Sequence, residues 1–165
     1  VNIIMDGPPA LALGLEPIRE AVFNKKPVNR NTSIITKSMI TTIVLNAIYV
    51  TSILLIQMKF NILGTSSSEM ETVLFALFAF SALFNAFNCR EFGTDSILPN
   101  FTKNKTALTI ISITAIAQLI FTEVFSKFFD SVPLSAVMWG KVILLAFMII
   151  VVNEVVKFVL RLLKN

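Results

Sequence analysis

The sequence has no histidine, and its one cysteine is Cys89. An intrachain disulfide is therefore excluded, as are the imidazole and thiolate clusters that hold zinc, copper or iron–sulfur centres. Any bound metal has to be held by oxygen ligands, which suits hard cations such as calcium, manganese or magnesium. Charge is also scarce, at 15% of residues against the roughly 25% of an ordinary soluble domain. Hydrophobic residues make up 55% and the mean hydropathy is +0.79, so lipid must be part of the solvent. The five glycines form no phosphate-binding loop. The start lacks the basic region and apolar core of a targeting signal, because Asp6 follows Val1 within a few residues. The apolar opening stretch ends by Leu15, too short to cross a bilayer, and the first residue is not methionine. The expectation is that an upstream part precedes this chain.

What is present falls into long uncharged windows. A bilayer core of roughly 30 Å needs about 20 apolar residues in a helix. Between Lys37 and Lys59 there is no charge, which predicts a transmembrane helix over 38–58. Glu71 and Arg90 bracket a window rich in Phe and Leu, 72–89, with no proline to interrupt it. Further spans are predicted over 106–125 and 135–156, the last with Lys141 snorkelling near one end and Glu154 set into the other. The expected fold is all-α: a polytopic membrane helix bundle of four full transmembrane helices, preceded by half of a broken helix at 1–15. A loop over 16–37 and a tail over 157–165 complete the division.

The basic residues sort by loop. Eleven of the fourteen fall before the first full span, in the 90–105 loop or in the tail; Lys59, Lys127 and Lys141 fall on the other side. By the positive-inside rule, loops 16–37 and 90–105 and the C-terminus are cytoplasmic in an integral, multi-pass protein. The net charge of +4 thus reports topology, and nucleic acid is not an expected partner.

The segment with chemistry is Asn2-Ile3-Ile4-Met5-Asp6-Gly7-Pro8-Pro9. Asn2 and Asp6 are four apart, so on a helix they share a face. An aspartate at the bilayer centre costs roughly 2.5–3.5 kcal/mol on insertion scales, and it normally faces a cavity, a partner or an ion. Pro8 and Pro9 lack the N–H groups that Ile4 and Met5 carbonyls would accept from, and Gly7 loosens the backbone beside them. A helix broken in this way is how carbonyl and side-chain oxygens come to coordinate a cation at mid-depth. The alternative is that Asp6 ends a helix at a membrane surface and Gly-Pro-Pro is a plain turn.

The string from Asn2 through Leu15 with Glu16-Pro17 after it resembles the sixth membrane helix, the cation-binding one, of calcium-transporting P-type ATPases. Met5 before Asp6 and Gly-Pro-Pro after it look closest to secretory-pathway and bacterial members. Four spans follow, matching the family's seventh to tenth helices. The resemblance implies that Asn2 and Asp6 are calcium ligands. Met5 stands where the two-calcium pumps have a threonine ligand. The stretch Leu83-Phe84-Asn85-Ala86-Phe87-Asn88-Cys89-Arg90 is similar to the eighth helix, yet Ala82 takes the place of its glutamate ligand. A single ion per cycle is implied, as in plasma-membrane and secretory-pathway pumps: Ca2+, with Mn2+ a second candidate. The last helix, with Asn153-Glu154-Val155-Val156-Lys157-Phe158, is similar to the tenth.

The family's phosphorylation motif, Asp-Lys-Thr-Gly-Thr, is absent, so this segment cannot hydrolyse ATP by itself. The resemblance places ATP and Mg2+ in upstream cytoplasmic domains. Those domains, the upstream membrane helices and the lipid bilayer are the expected partners. The rival reading is a non-enzymatic four-helix channel or assembly subunit with Asp6 merely interfacial. Asn85 and Asn88 are expected to bond to a neighbouring helix, the Phe80, Phe84 and Phe87 stripe to pack, and Glu154 to pair locally with Lys157. The 16–30 loop is read as a solvated connector or as a dock for a cytoplasmic domain.

Overall fold

A computed structural model describes residues 2–16, 33, 35–91, 93–128 and 130–164; the side chains of residues 2–6 and 164 are outside that description. The described residues form α1 (Asn2–Gly14), α2 (Lys37–Phe60), α3 (Met70–Asn88), α4 (Lys105–Glu123) and α5 (Ala136–Lys164), with a short 3-10 turn at Leu98–Asn100. No strand occurs among them. The helices α2 to α5 are each long and apolar enough to cross a membrane. Their outward faces carry exposed Ile43, Ile48, Val137, Leu144 and Phe158. In water such a surface would aggregate, whereas in lipid it is the expected one.

The helix ends follow local chemistry. The Thr36 hydroxyl accepts from Met39 N (3.2 Å) to cap α2. At the other end of α2, Asn61 takes a left-handed conformation at φ 46°, tolerated by its short amide. The Asn104 side chain accepts from Ala107 N (2.8 Å) to start α4.

Packing makes α3 the hub, in contact with all four other helices, while α1 lies against α3 and α4. One core cluster gathers Leu77, Phe80, Leu134, Trp139 and Val142; the other gathers Leu83, Phe87, Ile97, Ile111 and Ile149. The phenylalanine stripe of α3 packs as expected. Phe80 meets Trp139 edge-on at 5.9 Å, Phe84 meets Phe147 at 5.5 Å, and Phe87 stacks on Phe101 at 4.5 Å.

Two connections share one end of the bundle. Gln57, fully buried, accepts from Leu63 N (3.1 Å), and Lys141 donates to the Leu63 carbonyl (2.7 Å), so this lysine reaches into a turn rather than simply snorkelling. Glu123 accepts from Leu134 N (2.8 Å) and from the Trp139 indole (2.7 Å), tying α4 to α5. Glu123→Ala leaves both donors without that acceptor and is expected to cost about 2–4 kcal/mol, with Glu123→Gln milder because an amide oxygen still accepts. Thermal unfolding of the detergent-solubilised protein checks this ranking; equal midpoints for the two variants would contradict it. In the same region the Ser66 hydroxyl and backbone N–H hold the exposed Glu69 carboxyl below its usual range. This bridge stabilises above the unfolded carboxylate pKa and fades as pH falls through the lowered one.

One expectation is corrected. The first helix does not break at its prolines: α1 continues through Pro8 and Pro9 to Gly14. Proline removes two intrahelical bonds but its fixed φ remains helical, so the axis survives with its ladder interrupted. The last helix runs on past the predicted span, because no glycine or proline follows Gly140 and Val156 to Lys164 continue as helix. Of the 16–37 loop, residues 17–32 and 34 lie outside the described set, as does any docking role for them.

Candidate cation-binding site

The positions of Asn2 and Asp6 fall one turn apart on α1, as their spacing predicts. Further along the helix Pro9 and Ala12 are buried and Leu13 is half-buried, while Ala10, Leu11 and Leu15 are exposed. The helix packs against α3 and α4. Two and three residues after Asp6, Pro8 and Pro9 have no N–H, so the carbonyls of Ile4 and Met5 have no i+4 donor. An amide, a carboxylate and two carbonyls without helical donors thus lie within one short stretch of helix.

On α3, Ala82 and Asn85 line an open groove of about 470 Å³ shared with α2. Its polar lining is Asn46, Ser81, Asn85, Cys89 and two threonines, with no carboxylate. Among the described residues no three acidic, cysteine or histidine side chains form a metal-sized cluster.

A buried amide network crosses the bundle next to this groove. Asn46 donates to Asn85, and Asn153 donates to Asn46 and to the Ile149 carbonyl (2.8 Å). Asn88 donates to Asn85 (3.3 Å) and to the Ile149 carbonyl (3.4 Å). The asparagines of α3 thus join α2 and α5, the interhelical role expected of them. Sequence reasoning had no handle on Asn46, which is one polar residue among several on α2. Glu154 pairs with Lys157 at 3.7 Å and also accepts from the Ser96 hydroxyl and Ile97 N (3.0 Å), a structural assignment with a longer reach than predicted.

The end of α1 is held by a second constellation that the sequence did not suggest. Arg90, its side chain fully buried, donates to both Glu16 oxygens (2.9 and 3.1 Å) and to the carbonyls of Asn100 and Phe101 (both 2.9 Å). Asn104 also donates to Glu16 (2.8 Å).

The sequence is similar to known proteins over most of its length. Calcium-transporting ATPase 12, plasma membrane-type, from Arabidopsis thaliana is 34% identical over 148 residues, 88% of this chain and 14% of that protein. Probable calcium-transporting ATPase 6, plasma membrane-type, from Oryza sativa subsp. japonica is 30% identical over 163 residues, 95% of this chain and 16% of that protein. The chain therefore spans about one seventh of the length of these relatives. The family model described as "Cation transporting ATPase, C-terminus" matches residues 1–159, so the chain belongs to that family, as the C-terminal membrane region of a cation-transporting ATPase.

Proposed function

We propose that this region serves an ATP-driven pump that moves Ca2+ across a membrane, and that Asn2 and Asp6 give oxygen ligands to a single ion site. The observation that carries the reading is α1 itself. It carries an amide and a carboxylate one turn apart, follows them with two prolines that leave the Ile4 and Met5 carbonyls without helical donors, and packs against α3 and α4. Ala82, standing where the two-calcium pumps have a glutamate ligand, supports one ion rather than two. The remaining ligands come from upstream helices, and ATP and Mg2+ act in upstream cytoplasmic domains. Mn2+ is a second cargo, since it accepts the same hard oxygens.

The basic residues give the orientation. Loops 16–37 and 90–105 and the C-terminal end are cytoplasmic, and the turns at 61–69 and 124–135 face the opposite side. ATP hydrolysis by the full-length protein in membranes, measured with Mg2+ alone and then with added Ca2+ or Mn2+, tests the function. Activation by Ca2+ is expected, with Mn2+ a weaker activator. A full rate in Mg2+ alone would exclude a calcium pump.

A further inference from the structure

We infer that Arg90 is a positioning residue of the ion site, acting through Glu16 at the far end of α1. This inference rests on the calcium-pump reading. Ten residues of helix separate Asp6 from Glu16, about 15 Å along the axis, so neither Glu16 nor Arg90 reaches the ion itself. Their effect has to pass through α1.

The connection between helix and clamp is short and well bonded. After Gly14 the chain closes with Leu15 N on the Ala12 carbonyl and Glu16 N on the Leu13 carbonyl, each 3.2 Å, so Glu16 is tied directly to the last turn of α1. Its carboxylate meets the planar fork of Arg90 at both oxygens and the amide of Asn104 at one. Such bidentate geometry fixes orientation as well as distance. Arg90 lies immediately beyond α3, with its own N–H on the Phe87 carbonyl (3.2 Å), and Asn104 is the residue that caps α4. One buried guanidinium therefore joins the C-terminal end of α1, the C-terminal end of α3 and the start of α4.

The 90–104 loop is in turn anchored to α5. Glu154 accepts from Ser96 and Ile97, and Lys157 donates to the Glu91 carbonyl (2.9 Å). The clamp is thus set in a frame drawn from α3, α4 and α5. An arginine that served only the loop could be satisfied by the Asn100 and Phe101 carbonyls and a nearby acid. Arg90 also binds the Glu16 carboxylate just past the ion-site helix, 74 positions away.

Between clamp and ligands lies the weak point of α1. Pro8 and Pro9 remove two helical bonds, so the Asn2–Asp6 half is joined to the Ala10–Gly14 half by the most easily bent part of the helix. With the far half pinned by Arg90, bending at the prolines moves the ligand half alone. With the pin removed, α1 can slide and rotate as a whole and the ligands lose their setting against the rest of the site.

The test uses the full-length protein with Glu16→Gln, Arg90→Gln and the double variant, measuring folded protein in membranes, half-activating calcium and maximal ATPase rate. Glu16→Gln keeps the shape and one acceptor, so it keeps the test decisive if Arg90→Gln folds poorly. The expected result is a rise of about fivefold or more in half-activating calcium for each folded single variant. The maximal rate per folded molecule changes far less, and the double variant is no worse than the worse single. Unchanged half-activating calcium in Glu16→Gln, with loss only of folded protein, overturns the inference and leaves a purely structural pair. Additive shifts in the double variant overturn the claim that Arg90 acts through Glu16. A wild-type enzyme indifferent to calcium overturns the pump reading itself, a result distinct from both.

Discussion

Asp6→Asn abolishes calcium-activated ATP hydrolysis in the full-length protein while leaving its folding intact. The substitution is nearly isosteric and keeps one oxygen, so the shape of the side chain is preserved. The negative charge is what it removes. Hard divalent cations are held by charge as well as by oxygen count, and a neutral amide in a low-dielectric site offsets little of the ion's lost hydration. By analogy with other buried charge partners the loss is about 3–5 kcal/mol, some two to four decades in ion affinity. Folding has no reason to suffer, because a charged aspartate is itself costly to insert in a membrane. Calcium titration of ATPase activity, with folded protein quantified in the same membranes, checks both halves. Wild-type calcium dependence in Asp6→Asn would remove Asp6 from the site.

Replacing Pro8 and Pro9 together by Ala has an opposite profile: a more stable helix and a poorer pump. Alanine restores N–H donors to the Ile4 and Met5 carbonyls and removes the residue least suited to a helix interior, a penalty of about 3 kcal/mol per proline in exposed helices. Once those carbonyls are engaged within the helix they no longer offer free lone pairs to a cation, and the bend between the two halves of α1 stiffens. Half-activating calcium is expected to rise about tenfold or more, equivalent to about 1.4 kcal/mol of ion binding. The thermal midpoint should hold or increase. Calcium titration and thermal unfolding of the double variant are the measurements. Unchanged calcium affinity in a stabilised protein would show that neither the carbonyls nor the bend matters.

These expectations show which features the sequence made legible and which it hid. The membrane helices were readable because charge is so costly in lipid that Lys37, Lys59, Glu71 and Arg90 had to mark the edges of spans. The predicted limits and the helices α2 to α4 agree to within two residues, α2 for instance running Lys37–Phe60 against a predicted 38–58. The helix α5 runs past the predicted span because the basic residues Lys157, Arg161 and Lys164 announce an interface, and a helix need not stop there. The break at Pro8 and Pro9 was misjudged for a related reason: proline deletes a donor, but it does not forbid helical φ. The candidate ligands were legible because they lie four apart in one segment. The clamp was not. Glu16, Arg90 and Asn104 are each ordinary polar residues near helix ends, and only the packing of α1 against α3 and α4 unites them. The amide network is similar, since Asn46, Asn85 and Asn153 lie on three helices and no local spacing links them.

The account rests on α1 gripping one hard cation within the bilayer. Equilibrium binding of radioactive calcium to the purified full-length protein, wild type beside Asp6→Asn, measures this directly. One calcium per polypeptide in the wild type and none at the same concentration in the variant is the predicted result; equal calcium on both proteins would contradict it.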